Sequence, residues 1–144
     1  MSPDSWMAGL KNQRWKEEVP TPEDFARAQY NFVHTSGIDI MLFHDAPEGV
    51  PVRSGLNYTM PANLDADARE TRRQLRFLVD EFNPEYVFHG HWHQALESVL
   101  NGYSDAIPTK VYSVANVESE AKASMILDLT ENTVEWGDPV GLPN

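Results

Sequence analysis

The sequence predicts an α/β fold. Two short apolar runs, residues 38–43 and 85–89, have strand length and bracket a segment of helical periodicity. Within that segment Leu75, Leu78, Val79 and Phe82 recur at i, i+3, i+4 and i+7, one face of a helix. Three further strand-like runs, residues 110–114, 125–129 and 133–136, close the chain.

Taken in order, residues 1–20 are expected to be irregular, with Trp6, Trp15 and Pro20 in no periodic pattern. Thr21 offers an N-cap, Pro22 a first helical position and Asp24 a first-turn acid, so a helix is expected from about 22 to 33. Ser36-Gly37 ends it, and the strand 38–43 runs directly into His44-Asp45-Ala46-Pro47. Residues 48–64 hold Gly49, Pro51, Gly55 and Pro61 and read as a long loop. Asp65 is the expected cap of the next helix, about 66–82. Its Arg69, Arg72, Arg73 and Arg76, with Asp67, Glu70 and Glu81 nearby, read as a solvated face. Asn83-Pro84 stops that helix and the strand 85–89 follows. Asn132 predicts a tight turn joining the last two strands as a hairpin. One domain, residues 21–137, is expected, with residues 138–144 a loose tail.

The chain has 144 residues, 11 basic against 22 acidic, a formal charge of −11. Nucleic-acid backbones and anionic membranes are therefore not favoured partners. There is no cysteine, so any metal must be held by His, Asp, Glu or Asn. No stretch is long and apolar enough to span a bilayer. The first residues lack the basic start and apolar run of a signal peptide, which makes the cytoplasm the expected compartment.

Chemistry concentrates in Gly90-His91-Trp92-His93. Two imidazoles one residue apart, at the point where a strand becomes a loop, make a compact metal-binding hook. The strand–helix–strand order predicts parallel neighbours with their binding crevice outside the carboxyl ends. His44, at the end of the earlier strand, is therefore expected to converge with His91 and His93 across 47 residues of sequence. His89 lies inside the strand, where a core position is expected, with a supporting bond to a ligand as the second role. His34 follows the first helix, where a cation is favourable against the helix dipole.

Two ordered steps, Met41-Leu42-Phe43-His44-Asp45-Ala46-Pro47 and Val87-Phe88-His89-Gly90-His91-Trp92-His93, resemble the C-terminal half of calcineurin-like metallophosphoesterases of phage and bacterial type. The resemblance covers residues 36–136. It implies a two-sheet β-sandwich flanked by helices, and hydrolysis of phosphomonoesters or phosphodiesters with Mn, Fe, Zn or Ni. It implies that His44 and His91 are ligands of one metal, His93 a ligand of the other, and that Asp45 orients a ligand ring. It identifies no catalytic residue in this chain.

The family's Asp-x-His, Gly-Asp and Gly-Asn-His steps are missing, and with them the bridging carboxylate. The active site is accordingly expected to be incomplete in this chain alone, dinuclear only with ligands from a partner. A truncated or split frame, a domain completed by a separate chain, and a descendant without catalysis are the corresponding expectations. An exposed sheet edge is expected to pair with another chain or with a second copy. Two other readings compete. One is a catalytically inactive interaction module on the same fold. The other is a cupin-like single-metal barrel, in which His91, His93 and Glu97 form a His-x-His-x3-Glu step.

Overall fold

The structure, a computed structural model, describes residues 19–52, 62–115 and 122–137. The expectations of an irregular start and a loose tail fall almost wholly outside these residues, as does much of the expected loop 48–64. Helix α1 (Pro22–Val33) precedes strand β1 (Ile40–Phe43), helix α2 (Ala62–Phe82) and strand β2 (Tyr86–His89). Strands β3 (Leu96–Leu100), β4 (Thr109–Ser113), β5 (Met125–Asp128) and β6 (Thr133–Trp136) follow. The chain is thus mixed α/β, with two helices and two small sheets among the described residues. No helix among these residues is long and apolar enough to cross a membrane.

Helix α1 begins as its sequence dictates. Thr21 Oγ1 accepts from the Asp24 amide at 3.2 Å, and the Asp24 carboxylate accepts from the Thr21 amide at 2.8 Å. This reciprocal capping box satisfies two otherwise orphaned N–H groups. Helix α2 starts at Ala62, earlier than expected, so Asp65 lies inside the helix rather than capping it. Leu75, Leu78 and Val79 are buried on the anticipated face, and Phe82 meets Phe32 of α1 edge-on at 5.3 Å.

The larger sheet has the order β1-β2-β4-β3. β1 and β4 both run parallel to β2, while β3 is antiparallel to β4. β3 was not anticipated: Leu96-Glu97-Ser98-Val99-Leu100 is short, its polar residues Glu97 and Ser98 are adjacent rather than alternating, and Leu100 alone is buried. Among the described residues the strands form one four-stranded and one two-stranded sheet beside a 21-residue helix, not the barrel that the cupin-like reading implies. The core joins Met41, Val87 and Val111, neighbours across three strands, to Val79 of α2 and to Ala46, Val50 and Leu100. Full burial of each such aliphatic side chain contributes about 1.5–3 kcal/mol.

The β5–β6 hairpin forms the second sheet, with Asn132 in the left-handed region (φ 54°) as its turn requires. Tyr86 Oη donates to Asn132 Oδ1 at 2.9 Å, and Asn132 Nδ2 donates to Glu85 at 2.7 Å, tying the hairpin turn to the start of β2. β1 is an outer strand with no described neighbour on its far side, and Leu42 is 77% exposed there.

Arg72 and Arg76 depart from the expected solvated face. Arg72 donates to the carbonyls of Ala46 (3.1 Å) and Val50 (3.0 Å). Arg76 donates to those of Glu48 (3.1 Å) and Asn101 (2.8 Å), and pairs with Asp80. Loop carbonyls after β1 have no strand partner, so two guanidinium forks satisfy them from α2. Arg73, paired with Glu70 at 3.0 Å, remains solvated as expected. Gly49 sits inside this clamp at φ 95°, where a Cβ would lie 2.7 Å from Arg76 Nη1. Gly49→Ala should therefore lower stability by about 1–3 kcal/mol through backbone strain and displacement of Arg76. Urea unfolding measures this, and an unchanged midpoint would show that the loop is not held as described.

Candidate metal centre

Parallel pairing in the register Phe43↔His89 brings the carboxyl ends of β1 and β2 side by side. The Gly90 amide donates to the His44 carbonyl at 3.2 Å, which extends the pairing one residue past the strands. The chain then leaves β2 through His91 (φ 67°) and His93 (φ 54°), both in the left-handed region. Such backbone is unfavourable for residues with a Cβ, and its occurrence at two histidines of one turn marks a site held by its surroundings.

This backbone delivers the expected convergence for two of the three histidines. His91 Nδ1 lies 3.1 Å from His44 Nε2, with the rings at 63° and their centres 4.8 Å apart. Both residues are exposed. His93 is exposed as well and is close enough to act on the charge of His91, but it makes no third member of a cluster. Among the described residues no group of three or more His, Asp or Glu side chains is arranged to hold a metal ion. The two facing nitrogens nevertheless fit a transition metal. Neighbouring ligands of one ion, each bonded at about 2.0–2.1 Å, have this kind of spacing, and imidazole is the donor such ions favour.

Asp45 takes a different place from that implied by the resemblance. Its Oδ1 accepts from the Trp92 indole N–H at 2.7 Å and from the Ala46 amide at 2.6 Å. It acts on His89 and His91 through its charge. Bonds to a charged acceptor of this kind contribute about 1.5–3 kcal/mol. Arg72 covers the indole face, its guanidinium carbon 5.4 Å from the ring centre. Trp92 and Arg72 escaped the sequence reading. The signal available was a tryptophan placed between two histidines, where a solvent-facing loop gives no reason for a large ring.

His89 occupies the expected core position and is 4% exposed. Its Nδ1 lies 3.1 Å from the Gly90 carbonyl, so Nδ1 carries the proton and Nε2 is a bare acceptor. That Nε2 is buried with no hydrogen-bond partner, as are the hydroxyls of Ser113, its cross-strand neighbour, and Ser98. His34 caps α1, with Nδ1 2.6 Å from the Tyr30 carbonyl.

Burial lowers the His89 pKa, against the Gly90 hydrogen bond and the Asp45 charge, which raise it. His91 is also lowered. Desolvation of its ring is the main cause although the residue as a whole is exposed, Asp45 opposes it, and His44 and His93 reinforce it.

Comparison with protein-family models, characterised proteins and solved structures returns no match.

A histidine whose folded pKa lies below its ordinary value of about 6.5 stabilises the fold only while neutral. As pH falls through the unfolded value, the unfolded chain takes up the proton first and stability drops. The loss levels off once the pH is below the folded pKa. Urea midpoints should therefore fall between about pH 7.5 and pH 5, and His89→Gln should shrink that fall. An equal fall in the variant would remove His89 from this linkage.

Proposed function

We propose that this chain carries the histidine-bearing part of a metal-dependent phosphoesterase of the calcineurin-like kind, acting on phosphomonoesters or phosphodiesters. The supporting observation is the 3.1 Å approach of His44 Nε2 to His91 Nδ1 across two adjacent parallel strands. His44 and His91 would hold a Mn, Fe, Zn or Ni ion there, and the chemistry it would supply is activation of water and neutralisation of phosphoryl charge.

The residues of this chain then have distinct tasks. With an ion bound, His44 and His91 would present the facing nitrogens unprotonated, the proton of each ring on the other nitrogen; without one, a single proton lies between them. His93 is the donor offered to a second ion. Asp45 keeps negative charge beside the pair while its oxygen is engaged by Trp92. His89 fills the core beneath. A carboxylate bridge and the remaining donors come from residues other than these, supplied by a partner chain or by another segment. No membrane or nucleic acid is needed.

A second reading, a non-catalytic interaction module, is favoured by the outer strand β1 with its exposed Leu42 and by the absence of a third ligand among the described residues. Exposed apolar edges recruit other strands. Light scattering tests it: concentration-dependent association that Leu42→Lys abolishes supports the module, whereas a monomer at high concentration argues against it.

For the phosphoesterase reading, wild-type protein should bind manganese or cobalt, and His91→Ala should lose that binding with its circular dichroism unchanged. With the complementary ligands present, His91→Ala should abolish hydrolysis of bis(p-nitrophenyl) phosphate. Unaltered metal binding and turnover in the variant would overturn the assignment.

A further inference from the structure

We propose that Trp92 is a positioning residue for the histidine pair, locking the loop after β2 onto the loop after β1; the proposal rests on the metal reading of His44 and His91. The indole is held at its edge and its face by different parts of the chain. At the edge, its N–H donates to Asp45 Oδ1 at 2.7 Å. Asp45 directly follows His44 and Trp92 directly follows His91, so one hydrogen bond joins the two loops a single residue away from each imidazole. At the face lies the Arg72 guanidinium, 5.4 Å from the ring centre. Arg72 is itself fixed by the carbonyls of Ala46 and Val50, two points on the loop that carries Asp45. The indole is thus seated between a carboxylate and a guanidinium, each held in place from behind.

Trp92 also meets the ligand ring directly. The His91 imidazole stands edge-on to the indole, 5.6 Å between centres at 89°. Freedom of the Trp92 ring would become freedom of the His91 ring. The backbone on either side is in the left-handed region, at φ 67° for His91 and 54° for His93. Two such residues flanking one side chain need an external restraint, and the Asp45 and Arg72 contacts supply it. Any partly buried indole needs an acceptor for its N–H; here that acceptor is the residue next to His44, which ties the packing of Trp92 to the pair.

Trp92→Phe retains an aromatic face for Arg72 and removes the N–H. The first readout needs no metal: a scalar coupling between 15N nuclei of His44 Nε2 and His91 Nδ1 across their hydrogen bond in the full chain. It should be present in the wild type and lost in Trp92→Phe. The second readout is cobalt(II) affinity by calorimetry, expected to fall about tenfold or more, the usual consequence of removing a residue that orients a ligand. Asp45→Ala, which removes the acceptor and leaves the indole, should reproduce both effects and serves if Trp92→Phe does not fold. Absence of the coupling in the wild type, or coupling and affinity equal to wild type in a folded variant, overturns the proposal. A wild-type chain that shows the coupling but binds no cobalt removes the metal reading instead, and loss of the coupling in the variants still assigns the positioning role.

Discussion

Parallel pairing of β1 with β2 is the constraint on which the candidate site depends. Each strand has only four residues, and neither carries a ligand in its extended part. What the pairing fixes is where the two strands stop. With Phe43 opposite His89, the next residues, His44 and Gly90, are neighbours, and the Gly90 amide reaches the His44 carbonyl. A slip of one residue in β1 would exchange the faces of that strand and carry Met41 away from Val87 and out of the core. Burial of those two side chains, both nearly inaccessible, therefore selects the register that brings His44 and His91 together. The hydrophobic core and the polar site are consequences of one alignment.

The pairing alone leaves the loop after β1 undirected, because its carbonyls have no strand to bond. Helix α2 resolves this with two arginines one turn apart. Arg72 and Arg76 together reach four carbonyls, three of them within residues 46–50, and the Arg72 carbonyl in turn accepts from the Glu48 amide at 2.9 Å. The loop is thereby fixed to the same helix whose adjoining stripe of Leu75, Leu78 and Val79 packs in the interior. Arg72 continues outward to the Trp92 face. A path of direct contacts thus runs from α2, through Arg72 and Trp92, to the left-handed turn carrying both later histidines.

Much of this was legible in the sequence where the signal is local. The Thr21-Pro22 start, the apolar face of α2, the Asn83-Pro84 stop and the Asn132 turn each arise from the conformational preference of the residues concerned. The convergence of His44 with His91 was legible too, because a strand–helix–strand unit leaves few alternatives. Other features depend on what lies across the fold. Arg72 and Arg76 have the same local sequence character as solvated Arg73, and only the position of the loop beneath them distinguishes their roles. β3 has little apolar periodicity of its own and is formed by its ladder to β4. Asp45 beside His44 suggested a carboxylate on a histidine ring, but the indole N–H of Trp92 is the donor that reaches it.

The state of the histidine pair follows from its geometry. Two imidazole nitrogens 3.1 Å apart cannot both present bare lone pairs without repulsion, and cannot both carry protons without a clash. One proton between them, on either ring, removes both conflicts and makes the 3.1 Å approach a hydrogen bond. Protonation of both rings would add like-charge repulsion, in keeping with the lowering of the His91 pKa by His44 and His93. Asp45 offsets part of that repulsion, yet its oxygen is already engaged by an indole and an amide. Its charge is therefore available while its lone pairs are partly committed. The histidine pair thus stands beside a carboxylate whose Oδ1 is held by Trp92 and by the Ala46 amide.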